Sequence, residues 1–460
     1  MTKQIVGVLE LASKYKYGLT SRGVPIYLFR PYDEAEPDYI VGCSQRDTTR
    51  NQIALIEVTD ETLPPPPQKP RGLLVNLFGP VGEATAERDA LLAYYCPVKR
   101  WAAEEIPAPD TTGDELREYL DAEHGWITFH IDPPGCRDID DAIAYQPKTG
   151  RWAITIADAA AAVPAGTMID QKARAIGSTF YDISGTAIRP MLPPAISENS
   201  GSLLPGFRRR GISLMFGPVG PIDEFALTWI TVKHSFTYEN FLGTDVATIL
   251  GITEDPHDWI ASRMIQYNRD AATLLRSKGH GILRSQKPAD AEATSHWSSV
   301  SPELAHMANE AASYEPATSA GGHAGLTLTS YCHASSPLRR YADLANQRIL
   351  KAIIMQQPLE SMDPDLPAYL NSRTKATRRW SRDLMFLTHV TPGIVQQIDI
   401  VWVSATHVWV PTWKRLLRIR HDVGELAPEP GAHDHISIYC DPTRRNWKQR
   451  VLTAPVISVP

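Results

Sequence analysis

The chain has 460 residues, 43% of them hydrophobic and 21% charged. At roughly 100 to 200 residues per domain this fits two to four globular domains, and it excludes both a disordered chain and a small disulfide-stapled fold. With 46 Lys and Arg against 52 Asp and Glu, the formal charge is −6, so any site for a polyanion must be local. No stretch approaches the roughly 18 uninterrupted apolar residues of a membrane span. The opening MTKQIVGVLELASKYKYG lacks the apolar core of a secretory signal, and a cytoplasmic location is expected. Cys43, Cys96, Cys136, Cys332 and Cys440 are scattered, form no Cys-x-x-Cys pair and read as reduced thiols.

Residues 1–97 carry the short apolar runs IVGVLEL, VPIYLF, YIVGC and IALIEV between Gly, Pro, Asp and Arg, which predicts a small β-barrel. Pro64 to Pro67 read as a stiff connector. RGLLVNLFGPVGEATAERDALLAYY predicts a strand, a turn at Gly79 and Gly82, and a helix with Ala86, Ala90 and Leu91 on one face. It is no phosphate loop, because the full glycine fingerprint and the Lys-Ser/Thr pair are missing. Residues 98–125 are polar and read as a linker. Residues 126–390 alternate strands such as WITFHI and WAITIA with helical patterns around 258–278, 302–315, 337–357 and 372–389, one large α+β domain. Residues 391–460 return to short strands and predict a second small barrel. It holds eight Lys and Arg against six Asp and Glu, with Trp402, Trp409, Trp413 and Trp447. Cations interleaved with aromatics suit single-stranded nucleic acid, and a barrel core explains some of those tryptophans equally well.

HIDPPGCRDIDDAIAY places Asp132, Asp138, Asp140 and Asp141 within ten positions. Carboxylates so close repel one another unless cations neutralise them, and hard divalent ions with oxygen ligands do this best. The segment reads as a Mg²⁺ site, with Mn²⁺ as a substitute, or else as an exposed acidic turn. An EF-hand is excluded because the pattern fails at Ala142. In YCHASSPLRRYADLANQRILKAIIM, Ser335 or Ser336 is expected to cap a helix starting at Pro337, with Leu338, Ala342, Ala345, Ile349 and Ile353 as its buried stripe. Arg339 and Arg340 would then stand in the first turn, where the helix dipole disfavours a cation by roughly 0.3 to 1 kcal/mol. An anion bound there reverses the penalty; pairing of Arg339 with Asp343 is the alternative. The runs Arg208 to Arg210 and Arg373 to Arg382 read as solvated faces, and Met168 and Met191 as core. His433, His435 and Cys440 lack a nearby fourth zinc ligand.

An Ile-Asp-Pro strand end, Asp-x-Asp-Asp, ITIADAAAAVPAGTMIDQKARAIGSTFYDISGTAIRPMLPPAISENSGSLLPG and SSPLRRYADL, in that order over residues 126 to 350, resemble the catalytic RNB domain of the ribonuclease II and ribonuclease R family. Residues 1–97 are similar to its cold-shock type OB domain, and residues 391–460 to its C-terminal RNA-binding OB domain. The resemblance implies an α+β catalytic RNB-type domain flanked by small OB-like β-barrels at both ends. It implies a processive 3′-to-5′ exoribonuclease that hydrolyses single-stranded RNA to nucleoside 5′-monophosphates by a two-metal mechanism, acting as a monomer away from membranes. The family's metal-binding and catalytic aspartates fall on Asp132, Asp138, Asp140 and Asp141, its base-stacking tyrosine on Tyr181 and its scissile-phosphate arginine on Arg339, with Arg340 beside it. The chain departs from the family at Ala159 to Ala162, at Ala334 where an aromatic is usual, and at Trp380 and Arg382 where acids are usual. The rival readings are a catalytically inactive RNA-binding or scaffold protein of this fold, and a nuclease acting on DNA or short oligonucleotides.

Overall fold

The computed structural model describes residues 3–59, 68–102, 106–217, 224–390, 394–419, 429–440 and 451–455. Pro64 to Pro67 and Trp447 lie outside the described residues. The chain divides into two compact units, Met1–Val98 with Ala291–Ala308 and Arg378–Pro460, and Lys99–Asp290 with Asn309–Thr377.

In the first unit, β1 (Gln4–Leu9), β2 (Ile26–Pro31), β3 (Tyr39–Gly42), β4 (Gln52–Val58) and β5 (Arg71–Pro80) close a barrel in the order β1-β2-β3-β5-β4. Leu9, Phe29, Tyr39, Val41 and Ile56 fill it, and the Phe29 and Tyr39 rings meet edge to face at 6.5 Å. Gly7 permits the β1-β2 crossing, because a Cβ there would stand 2.2 Å from the Arg30 carbonyl oxygen. α1 (Ala84–Tyr95) packs on the barrel through Ala86, Ala90 and Leu91. Its buried Glu87 accepts hydrogen bonds from the Tyr32 hydroxyl at 3.0 Å and the Gly82 amide at 2.9 Å, which satisfies a carboxylate that burial alone would penalise.

The second unit is built on a seven-stranded sheet. Its strands are β6 (Glu118–Leu120), β7 (Ile127–Ile131), β8 (Asp141–Gln146), β9 (Arg151–Ala157), β12 (Arg208–Phe216), β13 (Glu224–Thr231) and β14 (His234–Phe236). Their order is β14-β7-β8-β9-β12-β13-β6, antiparallel except for the two edge pairings. β6 lies inside the segment expected as a linker, so residues 118–120 are part of the sheet. Between β9 and β12 come α2 (Ala159–Ala162), α3 (Met168–Ile176) and the hairpin β10 (Phe180–Tyr181) with β11 (Ala187–Arg189). After β14 the chain continues with α4 (Asp245–Leu250), α5 (Pro256–Ser277), β15 (Ile282–Ser285), α6 (Ala291–Val300), β16 (Ser313–Pro316), α7 (Tyr341–Ile354) and α8 (Leu366–His389), of which α6 and the part of α8 from Arg378 on belong to the first unit. Residues 302–315 do not form the expected helix; they hold a 3₁₀ segment, Pro302–Ala308, and then β16.

α5 begins with Asp255 capping the His257 amide at 2.7 Å and Pro256 in its first turn. Its Trp259, Tyr267, Ala271 and Leu275 pack against Phe129, Ile143, Ile154 and Leu214 of the sheet, with Phe241 stacked 5.6 Å from Phe129. A polar network fills another part of the unit. Arg117 donates to the carbonyls of Gly211 and Thr228 and to fully buried Asp158 at 2.5 Å, while Asp158 also caps α2 at Ala161. Met168 is 78% exposed on α3 and is not core, whereas Met191 is fully buried.

Back in the first unit, β17 (Val395–Ser404), β18 (His407–Val410), β19 (Arg415–Arg418), β20 (His433–Cys440) and β21 (Val451–Pro455) form one antiparallel sheet in the order β19-β18-β17-β20-β21. Trp402 and Trp413 are buried in its core, and Trp413 meets Phe386 edge to face at 5.4 Å. These two tryptophans therefore serve packing. The architecture is an α+β domain with OB-like β-units at both ends, and no helix among the described residues is long and apolar enough to cross a membrane.

Candidate active site

β7 and β8 are neighbours in the sheet, and the loop between them carries three of the four aspartates, while Asp141 opens β8. Pro133, Pro134 and Gly135 turn the chain, with the Cys136 amide closing on the Pro133 carbonyl at 3.1 Å. Three further hydrogen bonds fix the loop: the Ile139 amide donates to Ser202 Oγ, the Leu203 amide to the Ile139 carbonyl, and the Ala157 amide to the Asp140 carbonyl. Apolar Ile139 is 1% exposed, and its burial draws the acids inward. An exposed acidic turn is thereby excluded.

All seven residues singled out in the sequence, Asp132, Asp138, Asp140, Asp141, Tyr181, Arg339 and Arg340, line one cavity of about 730 Å³. Asp132 Oδ2 lies 2.8 Å from His130 Nδ1. Asp138 accepts from the Tyr181 hydroxyl at 2.8 Å. Asp140 Oδ1 accepts from the Leu338 amide at 2.9 Å, and Oδ2 from Arg339 Nε at 3.1 Å. Burial pushes the Asp140 carboxyl up to about 7, against the pull of Arg339. Burial, with Asp132 and Asp140 beside it, also raises Asp141 well above the usual carboxylate range. Burial disfavours the Arg339 cation, but Asp140, Tyr181 and Asp343 outweigh it and hold the guanidinium charged. The Tyr181 hydroxyl is raised by burial and then by Asp138.

The two arginines are placed by a loop and not by a helix turn. α7 starts at Tyr341, with Arg340 at its N-cap in extended conformation, so neither Ser335 nor Ser336 caps it. Asp140 explains the shift, because its carboxylate takes the Leu338 amide and the Arg339 side chain and holds Pro337 to Arg339 as a turn. The Thr179 amide and Ser178 hydroxyl both donate to the Arg339 carbonyl, at 2.9 and 3.1 Å, and bind this turn to the segment leading into Tyr181. Gly177 makes that segment possible: it ends α3 at φ +80°, where a Cβ would meet Arg373 Cβ at 2.6 Å. Arg340, not Arg339, pairs with Asp343, at 2.8 Å. Arg339 keeps its side chain 43% exposed towards the cavity.

Sequence reasoning missed Tyr238, Asn268 and Tyr331 as lining residues and read Ser335 and Ser336 only as helix caps, yet all five line the cavity. Asn268 is 2% exposed; its Oδ1 accepts from the Ala334 amide and its Nδ2 donates to Ser335 Oγ at 3.0 Å. The available signal was an Asn in line with Ile260 and Met264 on α5. Among the described residues no three His, Cys, Asp or Glu side chains are arranged to hold a metal ion. The donor set nevertheless suits a hard divalent cation, since four carboxylates share the cavity and burial raises two of them, a cost that a bound cation would offset.

The RNB domain family matches residues 121–244 and 244–356, just over half of the chain and the whole of the cavity lining named above. The chain belongs to the RNB-domain family. Among curated RNB relatives, Ribonuclease R of Helicobacter pylori strain J99 is 24% identical over 407 residues, 68% of this chain and 60% of that protein. Exoribonuclease 2 of Pectobacterium atrosepticum is 26% identical over 408 residues, 65% of this chain and 61% of that protein. The chain thus spans about three fifths of the length of these relatives. Among solved structures, Mycoplasma genitalium RNase R in complex with ribose-methylated single-stranded RNA superposes with a TM-score of 0.73 at 13% identity, covering 98% of this chain and 90% of that one. Yeast Ssd1, a pseudonuclease, gives 0.71 at 16% identity, covering 91% and 65%. At these identities the likeness is one of RNB fold.

Proposed function

We propose that this chain is a divalent-metal-dependent exoribonuclease, degrading single-stranded RNA processively from the 3′ end to nucleoside 5′-monophosphates. The observation that carries the reading is the single cavity that joins Asp132, Asp138, Asp140, Asp141, Tyr181 and Arg339. The likeness to yeast Ssd1 means that fold alone separates no enzyme from an inactive protein; what favours the enzyme is that every charged group the reaction requires is present. Asp132, Asp138, Asp140 and Asp141 would hold Mg²⁺ or Mn²⁺, which when bound supplies Lewis-acid polarisation of the phosphate and a more acidic water. Arg339 stays ionised beside Asp140, with Nε on Asp140 and Nη2 on Ser336 Oγ at 3.0 Å, and offers its remaining guanidinium donors to a non-bridging phosphate oxygen, stabilising charge as the phosphodiester breaks. Tyr181, its hydroxyl anchored on Asp138, offers its ring to the terminal bases.

The test is incubation of 5′-labelled single-stranded RNA, duplex RNA and single-stranded DNA with and without Mg²⁺, resolved on a sequencing gel. Laddering of single-stranded RNA from its 3′ end in Mg²⁺ is expected; intact RNA under all conditions would favour the inactive reading. In the same assay Tyr181→Ala is expected to hydrolyse RNA but release a longer limit fragment. Short fragments lose an anchor of roughly 1 to 3 kcal/mol per stacked base. An unchanged ladder would return Tyr181 to a packing role.

Metal binding has a second signature. The Asp140 carboxyl lies near 7 in the fold against 3.8 for an ordinary one, so the folded chain holds more protons than the unfolded chain between those values. Stability of the metal-free protein is therefore expected to fall as pH rises from about 4 to 7. Added Mg²⁺ should raise the melting temperature more at about pH 7.5 than at about pH 5, where protons compete for the carboxylates. Equal Mg²⁺ stabilisation at both pH values would remove Asp140 from the metal set.

A further inference from the structure

Helix α5 borders two cavities. Ile260, Met264 and Asn268, each four residues apart, line the carboxylate cavity. Trp259 and Arg263, also four apart, line a separate cavity of about 350 Å³ with Trp152, Phe216 and the 250–254 turn. That size falls within the range of small-molecule sites.

Three of the nine lining residues are aromatic, and Arg263 is the one cation among them. Trp152 and Phe216 are register partners on β9 and β12, their rings 11° from parallel at 6.3 Å. Trp259 stands 6.3 Å from Trp152 and carries the Arg263 guanidinium 5.3 Å above its ring. Arg263 Nη1 donates to Gln266 at 3.1 Å, while its Nε is buried without a hydrogen-bond partner among the described residues. A buried unsatisfied donor is costly, and beside stacked ring faces it is matched by a ligand that is planar at one end and anionic at the other. Exposed Glu254 shares the lining and repels anions, so every added phosphate costs affinity and a monophosphate is favoured over a strand.

We propose that this cavity binds one nucleoside 5′-monophosphate, with the base against the partly exposed Trp152 and Phe216 rings and the phosphate on Arg263, which buried Trp259 supports from beneath. The choice of nucleotide rests on the exoribonuclease reading, whose product belongs to that class.

AMP is titrated against the full chain carrying Arg339→Ala, in EDTA, by calorimetry and tryptophan fluorescence, so that the carboxylate cavity lacks the arginine assigned to phosphate. Saturable AMP binding is expected. Adding Arg263→Met should weaken it at least ten-fold and leave adenosine binding within about two-fold, while Glu254→Arg, at an exposed position, should tighten AMP at least three-fold. Unchanged AMP affinity in both variants, or no AMP binding to the Arg339→Ala chain, overturns the proposal. Arg263→Met alone should degrade RNA at the parent rate. A parent chain that degrades no RNA would overturn the exoribonuclease reading, and the AMP titration would still decide this pocket.

Discussion

Asp140→Asn is expected to lower the rate of RNA hydrolysis on the order of 10²- to 10³-fold while RNA affinity stays within a few-fold of the parent. The two oxygens of Asp140 serve two different donors, the Leu338 amide and Arg339 Nε. An amide keeps an oxygen for one donor and turns an NH₂ group toward the other, so the change removes a carboxylate from the metal set and releases the arginine together. Single-turnover kinetics separates this loss from binding measured by filter retention. Parent-like turnover would exclude Asp140 from the chemistry.

Arg339→Lys is expected to lower turnover by about 10²-fold or more although the charge is kept. Lysine reaches as a point charge and cannot bridge Asp140 through one nitrogen while presenting a second, fixed edge to a phosphate oxygen. Arg340→Lys should cost far less, because Arg340 spends an Nη group on Asp343 at 2.8 Å. Equal losses in the two variants, measured as kcat/KM on the same RNA, would show that the roles of the neighbours are wrongly divided.

The acidic loop was legible because its signal is local. Asp132 to Asp141 span ten positions, and Ile139 within them and Ile131 and Ile143 flanking them are each 1% exposed. The start of α7 was not legible, because it is decided by groups distant in sequence. Asp140 accepts from Leu338, nearly two hundred residues away, and Gly177 accepts from the Tyr341 amide at 3.0 Å. The expected stripe of α7 holds in part: Leu338 and Ala342 are buried, and Ile349 and Ile353 pack against the core half-buried. Besides Tyr341, Leu344 and Leu350, the helix also buries Asp343, Asn346, Gln347 and Lys351, which bond to the Ser336 amide, β15, β9 and the Asp158 network. Apolar periodicity cannot find a face that is held by amides and carboxylates. β6 escaped because three residues pairing in parallel at a sheet edge carry no period to detect.

The Arg339 carbonyl, gripped by Thr179 and Ser178 across 160 residues of sequence, makes two distant loops one mechanical part. That bears on any chimera between this chain and a relative. Exchanging the 336–340 turn alone would set the transplanted arginine on a foreign support, and exchanging 178–181 alone would shift the tyrosine against a native arginine. Only the paired exchange transfers the register of ring and guanidinium intact, so the natural unit of recombination here is discontinuous: two short segments far apart in the gene, inherited as one.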